Sequence, residues 1–386
     1  MTEDVRHYVE PFCGSAAMLL GRPGAEPLTA PFPYPGGKRA VVKMVWQRFG
    51  QARTDTDGAP AGLETVNDAN AWIANFWRGV QLAPESVARF ADWPVNESDL
   101  HARGDALFYR WAELKDYALA AQACGECQNA AHCPGTTEEF CKAMDTRAAF
   151  YCPVAAGWWV WGQSCWIGDN WGRTQRGRSN ARYEDGEPVG VVHARPCLVA
   201  RGVSRKRHRL TGYAATGVCR QIPRLGDGSK NGVHRDGGNS GLHGWMQRLS
   251  ARLRHVRVCC GDWKRVCTPA VLTAGSPCAV FLDPPYGDAG RASMYCEHES
   301  FSVAGEVRQW CLETLASART RQTRIALCGY EGEHNELEQR GWRVVSWQTN
   351  GGYGNQRKDG SNENKRRERI WFSPTCLDAE QGELFE

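Results

Sequence analysis

Two rhythms of apolar and polar positions run along this chain, and where each holds divides it into regions. Residues 7 to 12, HYVEPF, read as a short strand ending in a polar, glycine-containing turn, and Ala16 to Leu20 then read as helix. Pro31 to Lys38 is a turn cluster, and Arg39 to Phe49 follows as an amphipathic helix with Val41, Val45 and Trp46 on one side. Residues 51 to 64 have linker composition. They lead into a brief strand at Thr65 and Val66 and a helix over Ala71 to Gln81. From 82 to about 150 the pattern is mainly helical, whereas 151 to 255 is rich in Trp, Gly and Arg with few long periodic stretches. Regular alternation returns with strands expected at Val256–Cys260, Ala279–Leu282, Arg324–Cys328, Arg343–Trp347 and Arg369–Phe372, and a helix over Ala304–Ala318.

Strands alternating with helices on both sides of an irregular middle predict an α/β fold with a mostly parallel, doubly wound sheet. The predicted core is residues 1–80 and 255–375, interrupted by an inserted region at 81–254 and followed by a tail at 376–386. A length of 386 residues accommodates this arrangement. The longest uncharged run, Tyr151 to Gly168, is broken by Gly, Gln and Ser and falls short of the ~20 apolar residues that span a bilayer. No membrane partner is expected. The residues MTEDVRHYVEPF show no basic segment followed by an apolar one, which predicts a cytoplasmic protein.

Charge changes this picture more than composition does. The net charge is +4, yet residues 173 to 257 carry 18 Lys and Arg against 5 Asp and Glu, a local +13 that leaves −9 for the rest. Arg205, Lys206, Arg207 and Arg209 form one block, and Trp, Tyr and His are interleaved. A face of this kind meets an anionic polymer, so double-stranded DNA is the expected partner. His234 and Arg235 are candidate contacts. Trp158, Trp159, Trp161, Trp166 and Trp171 are expected to build core beneath this surface, because each indole buries a large area.

The sharpest chemical signal is FLDPPY, residues 281–286. An apolar strand ending in Asp283, two stiffening prolines and an aromatic ring put Asp283 and Tyr286 at the carboxyl end of a strand, where open α/β sheets bind ligands. An exocyclic base amine presents two N–H donors and is a poor nucleophile. The Asp283 carboxylate and the Pro284 carbonyl could each accept one N–H, with Pro285 rigidifying the turn and Tyr286 stacking on a base extruded from the duplex. EPFCG at 10–14 is a tight small-residue turn suited to close approach by a ligand. Asp68 follows the next strand, where an acid can accept from ribose hydroxyls, although an Asx helix cap explains it equally. Gly36, Gly37 and Lys38 precede a helix whose amino terminus could receive an anion.

Together these stretches resemble the Dam-type DNA N6-adenine methyltransferases, in particular the phage-encoded ones. YVEPFCGSAAMLL is similar to that family's glycine loop for S-adenosylmethionine, PYPGGKR to its GGK motif, VNDAN to its ribose-binding motif and DPPY to its catalytic tetrad. Further similarity runs through WWVWGQSCWIG, VHR, VCCGDW, IALCGYEG and ERIWFSP, leaving out about 103–150. The resemblance implies a Rossmann-like methyltransferase core with an inserted target-recognition region and a catalytic set of Asp283, Pro284, Pro285 and Tyr286. It implies Asp68 at the cofactor ribose, Phe12 and Gly14 lining the pocket, Asp262 by the adenine, and Lys38 near the methionine end. The implied reaction is site-specific adenine-N6 methylation of DNA. Cytosine-N4 methylation, or a catalytically inactive DNA-binding regulator on the same fold, are the alternatives. One departure is plain: the family places GGK before the glycine loop, whereas here residues 36–38 follow it.

Cys124, Cys127, Cys133 and Cys141 form C-x2-C-x5-C-x7-C, with His132 beside the third. In a reducing compartment four such thiols are expected to hold a structural Zn ion or a [4Fe–4S] cluster. The resemblance does not supply this site. Cys13, inside the glycine loop, is not expected to be a nucleophile.

Overall fold

The computed structural model describes residues 4–32, 34, 37–50, 62–93, 99–100, 103–104, 107, 137–165, 181–184, 187–191, 241–286, 300–347 and 366–378, with backbone alone at 137, 181–184, 187–191 and 300–302. The chain divides into two compact units, one formed by 1–30, 34–74 and 252–386 and the other by 31–33 and 75–251.

The first unit is built on a seven-stranded mixed sheet. Its strands are β1 (His7–Glu10), β2 (Leu63–Asp68), β5 (Val256–Cys260), β6 (Cys278–Leu282), β7 (Arg324–Tyr330), β8 (Arg343–Ser346) and β9 (Glu368–Phe372), while β3 (Ala181–Glu184) and β4 (Glu187–Val191) form a separate antiparallel hairpin. The order across the sheet is β5-β2-β1-β6-β7-β9-β8. Five neighbouring strands from β5 to β7 are parallel, and β9 runs antiparallel between β7 and β8. Numbered along the chain without the hairpin, the first five strands follow the order 3-2-1-4-5 of doubly wound dinucleotide folds, so the sheet is compatible with a Rossmann-like fold. The direction of winding reverses between β1 and β6, which pair directly with His7 opposite Cys278.

Strands β1, β6 and β7 are buried along their whole length, as expected where both faces of a parallel sheet are covered. Successive side chains leave a strand on opposite faces, and β1 shows what each face meets. Val9 joins Val280, Leu282, Ile325, Leu327 and Trp371 with Val307 and Cys311 of the helix at Ser300–Ala316. Tyr8, one residue earlier, lies against Trp46 and Phe49 of the helix at Val42–Phe49, with ring centroids 5.0 and 6.4 Å away. The edge strand β8 is mostly exposed.

Strand β2 starts at Leu63, earlier than its apolar pattern suggests, because Leu63 and Glu64 pair with His7 and Tyr8. Glu64 is buried and binds two guanidinium groups. Arg252 approaches it bidentately at 2.7 and 2.8 Å, and Arg22 lies 2.5 Å from Oε1. Arg252 also donates to the Leu19 carbonyl at 2.8 Å. It therefore belongs to a buried ion cluster, although the sequence counts it within the basic stretch expected to face DNA.

The second unit is mainly helical. The helix at Pro153–Cys165 falls where few periodic stretches were expected, because nearly every side chain on it is buried and no polar face marks its period. It packs on the helix at Pro84–Ala91, where a Cβ on Gly157 would come within 2.4 Å of Phe90 Cβ. Trp158, Trp159 and Trp161 are buried, as the sequence suggests, and Trp159 joins Phe32, Phe76 and Trp77 in an aromatic cluster. A second helix, Leu242–Leu253, was also missed; it buries Leu242, Trp245, Met246, Leu249 and Leu253 at helical spacing. Among the described residues no helix is long and apolar enough to cross a membrane.

Candidate functional site

In a parallel sheet the carboxyl ends of neighbouring strands lie on one edge, and ligands bind where the winding reverses. The turn after β1 (Pro11 to Gly14), Asp68 ending β2, Asp262 after β5 and Asp283 to Tyr286 after β6 therefore share one edge of the first unit.

Hydrogen bonds tie the first three together. The Cys13 amide donates to the Asn67 carbonyl at 2.9 Å, and the Gly261 amide donates to the Asp68 carbonyl at 3.1 Å. The Asn67 side-chain amide donates to both Pro11 and Gly261 carbonyls at 3.0 Å, joining the turns that follow β1 and β5. Its Oδ1 is buried and has no hydrogen-bond partner among the described residues. Gly14 sits at φ +46°, and a Cβ there would lie 2.5 Å from the Tyr34 ring, so both the turn and its close approach need glycine. The Gly14 amide donates to Asp68 Oδ2 at 2.9 Å, and the Asn70 amide donates to Oδ1 at 2.8 Å.

Asn70, not Asp68, caps the next helix, through Trp72. Asp68 instead spans the glycine turn and its own Asx turn, with the Cys13 thiol also 4.0 Å from Oδ2, and keeps a lone pair on Oδ1 for another donor. Burial pushes its carboxyl up to about 6 against the two amide hydrogen bonds, so a further donor would be favoured there. Asp262 caps the turn at Trp263–Val266 through the Lys264 amide at 2.7 Å, and the Phe12 and Trp263 rings lie 5.9 Å apart. Cys13 is buried beside Asp68, and burial together with that carboxylate holds its thiol well above the usual range. That environment is the reverse of the one that activates a cysteine nucleophile.

The second half of the site centres on Asp283, whose side chain is about a fifth exposed. Its Oδ1 lies 3.0 Å from Lys38 Nζ and accepts from the Tyr286 hydroxyl at 3.0 Å. Oδ2 of the same carboxylate has no partner among the described residues and is left to a ligand. Lys38 is buried, with its ammonium 5.2 Å from the Tyr286 ring centroid and 5.6 Å from that of Trp347. Burial would lower its pKa, but the Asp283 and Glu368 carboxylates outweigh burial and hold it above the normal lysine range. It is a fixed cation and not a base. Gly37 is described beside it; Gly36 lies outside the described residues. Tyr286 is only 4% exposed and its ring meets Tyr330 edge-on, centroids 4.8 Å apart.

Two acids of this site were not singled out from the sequence. Glu368, opening β9, is 2% exposed, 3.0 Å from the Tyr286 hydroxyl and 3.9 Å from Lys38 Nζ. Its signal is an acid at the head of the apolar run ERIWF. Glu10, ending β1, accepts from the Tyr8 hydroxyl at 3.0 Å and the Leu19 amide at 3.2 Å. Burial raises it from the usual 4.5 to about 8, with the Asp283 and Glu64 charges adding to the rise. The folded state therefore holds a proton that the unfolded chain releases above about pH 4.5, and stability falls as pH rises toward 8. Glu10→Gln is expected to flatten this fall. Denaturant midpoints at pH 6 and 8.5 check it, and equal slopes for both proteins would count against a protonated Glu10.

Of the candidate metal ligands, Cys124, Cys127 and Cys133 lie outside the described residues, as does His132. Cys141 is exposed on the helix at Thr137–Thr146. Among the described residues no group of three or more His, Cys, Asp or Glu side chains is placed to hold a metal ion. Arg205, Lys206, Arg207, Arg209, His234, Arg235, Trp166 and Trp171 also lie outside the described residues. In comparisons with known proteins, no family model and no curated protein matches the chain.

Proposed function

We propose that the chain is an S-adenosylmethionine-dependent DNA adenine-N6 methyltransferase, with its cofactor in the pocket of Phe12, Gly14, Asp68 and Asp262 and its catalytic set at Asp283 to Tyr286. One observation carries the reading. At the point where the winding of the sheet reverses, Asp283 has one carboxylate oxygen facing Lys38 and Tyr286 and the other without a partner among the described residues. A carboxylate fixed in this way accepts an N–H without rotating. The turn beside it supports a nucleoside as ligand, since Asp68 retains a lone pair on Oδ1 for a hydroxyl donor.

S-adenosylmethionine supplies a methyl group on a cationic sulfur, which is a good leaving group. Asp283 and the Pro284 carbonyl each accept one N–H of the base amine, which localises the nitrogen lone pair toward the methyl carbon. The N–C bond forms as the C–S bond breaks with its electron pair returning to sulfur. The nitrogen then gives one proton to Asp283, which passes it to solvent. Lys38 stays against Asp283 Oδ1 as a fixed cation throughout. Tyr286 is covered in this structure, so a flipped base must displace what covers its ring before it can stack there.

Double-stranded DNA remains the proposed partner on the strength of the +13 stretch, and the cytoplasm the proposed compartment. A structural Zn ion, or an iron–sulfur cluster, held by Cys124, Cys127, Cys133 and Cys141 remains a proposal on their spacing alone. The test is transfer of labelled methyl from S-adenosylmethionine to duplexes lacking either adenine or cytosine as substrate base. Label confined to adenine-containing DNA is expected. Label on cytosine alone would move the reading to N4 methylation, and cofactor binding without transfer would favour the inactive regulator. Asp68→Ala is expected to weaken cofactor binding about tenfold or more by removing a buried acceptor. Unchanged affinity in calorimetry would take Asp68 out of the pocket.

A further inference from the structure

We infer that Glu368 is a positioning residue of the proposed amine site, drawing the Tyr286 hydroxyl and the Lys38 ammonium toward β9 so that Asp283 stays a strong acceptor for the substrate. The inference rests on the proposed function and adds a residue to it.

The Tyr286 hydroxyl has one hydrogen and faces two carboxylate oxygens, Asp283 Oδ1 and Glu368 Oε2, each at 3.0 Å. It donates to one of them at a time. Lys38 likewise faces both, at 3.0 Å from Asp283 and 3.9 Å from Glu368. Two donors are thus shared between two acids, and what Glu368 takes, Asp283 does not have to hold. An acid that surrendered its whole electron density to a lysine and a tyrosine would be a weak acceptor for an amine N–H.

Glu368 is placed to do this by the sheet. It opens β9 in register with Tyr330 of β7, and Tyr330 packs edge-on against Tyr286. Its backbone carbonyl accepts from the Trp347 amide at 3.3 Å, which fixes the strand beside β8. Asp283 follows β6, on the other side of β7, so the two carboxylates reach one hydroxyl from strands that do not touch. The partition of roles follows from exposure: Asp283 is open enough to meet a substrate, whereas Glu368 is 2% exposed and meets the site through Lys38 and Tyr286.

Among the described residues, the groups facing Asp283 are Lys38 from the turn before the second helix, Tyr286 of its own turn, Glu368 of β9, Cys328 of β7 and Glu10 of β1. Removing the Glu368 charge removes its pull on Lys38, which then favours Asp283, and withdraws a repelling neighbour. Both changes make Asp283 easier to ionise and weaker as an acceptor.

Glu368→Gln keeps the size and an acceptor oxygen while removing the charge. In single-turnover methyl transfer, its plateau rate is expected to fall about tenfold. Its acid limb should move about one pH unit lower, with the Kd for S-adenosylmethionine unchanged. Glu368→Asp, which restores the charge, should return the limb toward the wild-type position. The second readout needs no activity: the Asp283 carboxyl, followed in protein labelled with 13C at aspartate Cγ and assigned as the resonance lost in Asp283→Asn, should titrate at lower pH in Glu368→Gln. An Asp283 titration identical in both proteins overturns the inference even if methylation proceeds. A shifted titration in a protein that methylates no DNA supports the coupling of the two acids and places the failure in the proposed reaction. An unshifted acid limb in a Glu368→Gln protein that still methylates also overturns it.

Discussion

Asp283→Ala is expected to reduce methyl transfer by about 10²-fold or more while leaving cofactor affinity within about twofold, because in the proposed function the side chain addresses the base amine and not the cofactor. The geometry explains both halves of this expectation. Oδ1 is held by Lys38 and Tyr286, so the carboxylate cannot swing toward the Asp68 side of the pocket, and Asp68 makes its own contacts with Gly14 and Asn70. Lys38 retains Glu368 when Asp283 is gone, so the buried ammonium is not stranded and the protein should fold. Asp283→Asn is expected to be about as damaging, since an amide can turn its NH2 toward the substrate and meet a donor with a donor. Single-turnover transfer of labelled methyl, with calorimetric titration of S-adenosylmethionine, measures the two quantities separately. Activity within tenfold of wild type in either variant would remove Asp283 from the role.

The largest effect on stability is expected at Glu64, far from any proposed chemistry. Its carboxylate is the shared counter-charge of Arg22 and Arg252, both with side chains at or below 5% exposure. Taking one partner from a buried ion cluster leaves the remaining charges in a medium that solvates them poorly, at a cost of about 3–5 kcal/mol. Glu64→Ala should lower the unfolding free energy by that amount, read as a lower denaturant midpoint with little change in m. Alanine at Arg254, an exposed neighbour, should stay within about 0.5 kcal/mol of wild type. A Glu64 variant as stable as the Arg254 variant would show that Arg22 and Arg252 find water when their partner is lost.

The elements that the sequence made legible are those with a polar side to set against an apolar one, or short apolar runs closed off by turn residues. Strands β5, β6 and β7 and the helix after Lys38 fall within a residue or two of their patterns because turn residues bound them. The helix at Pro153–Cys165 has no such contrast, since it is buried all round, and its tryptophans were legible as core without being legible as helix. The helix at Leu242–Leu253 did carry the contrast, but the Gly- and Arg-rich residues before it masked its start.

At the site the sequence pointed to the residues that end strands: Asp68, Asp262 and Asp283 all follow a β-strand. It did not point to Glu10, Glu64 or Glu368. Glu64 and Glu368 lie within or at the start of strands and Glu10 ends one, and the meaning of each depends on a partner that the linear pattern does not mark: Leu19 for Glu10, Arg252 for Glu64, Tyr286 for Glu368. Lys38 was legible as a residue near the substrate pocket, but its pairing with two carboxylates was not, because nothing in a linear pattern says which acids a turn will face.

The place of β1 in the sheet has a consequence for how the chain reaches this structure. It is flanked by β2, which follows closely, and by β6, which comes only after the whole of the second unit. Pairing β1 with β2 closes a short loop, whereas pairing His7 with Cys278 closes a very long one. Until that second pairing forms, the central strand of the sheet is an edge, with one row of amides and carbonyls open to any strand that comes near. The reversal point that the proposed site occupies is created by that same late pairing. Folding and site assembly are therefore one event: an intermediate with β1 and β2 joined but β6 absent would expose its apolar middle and bind no base.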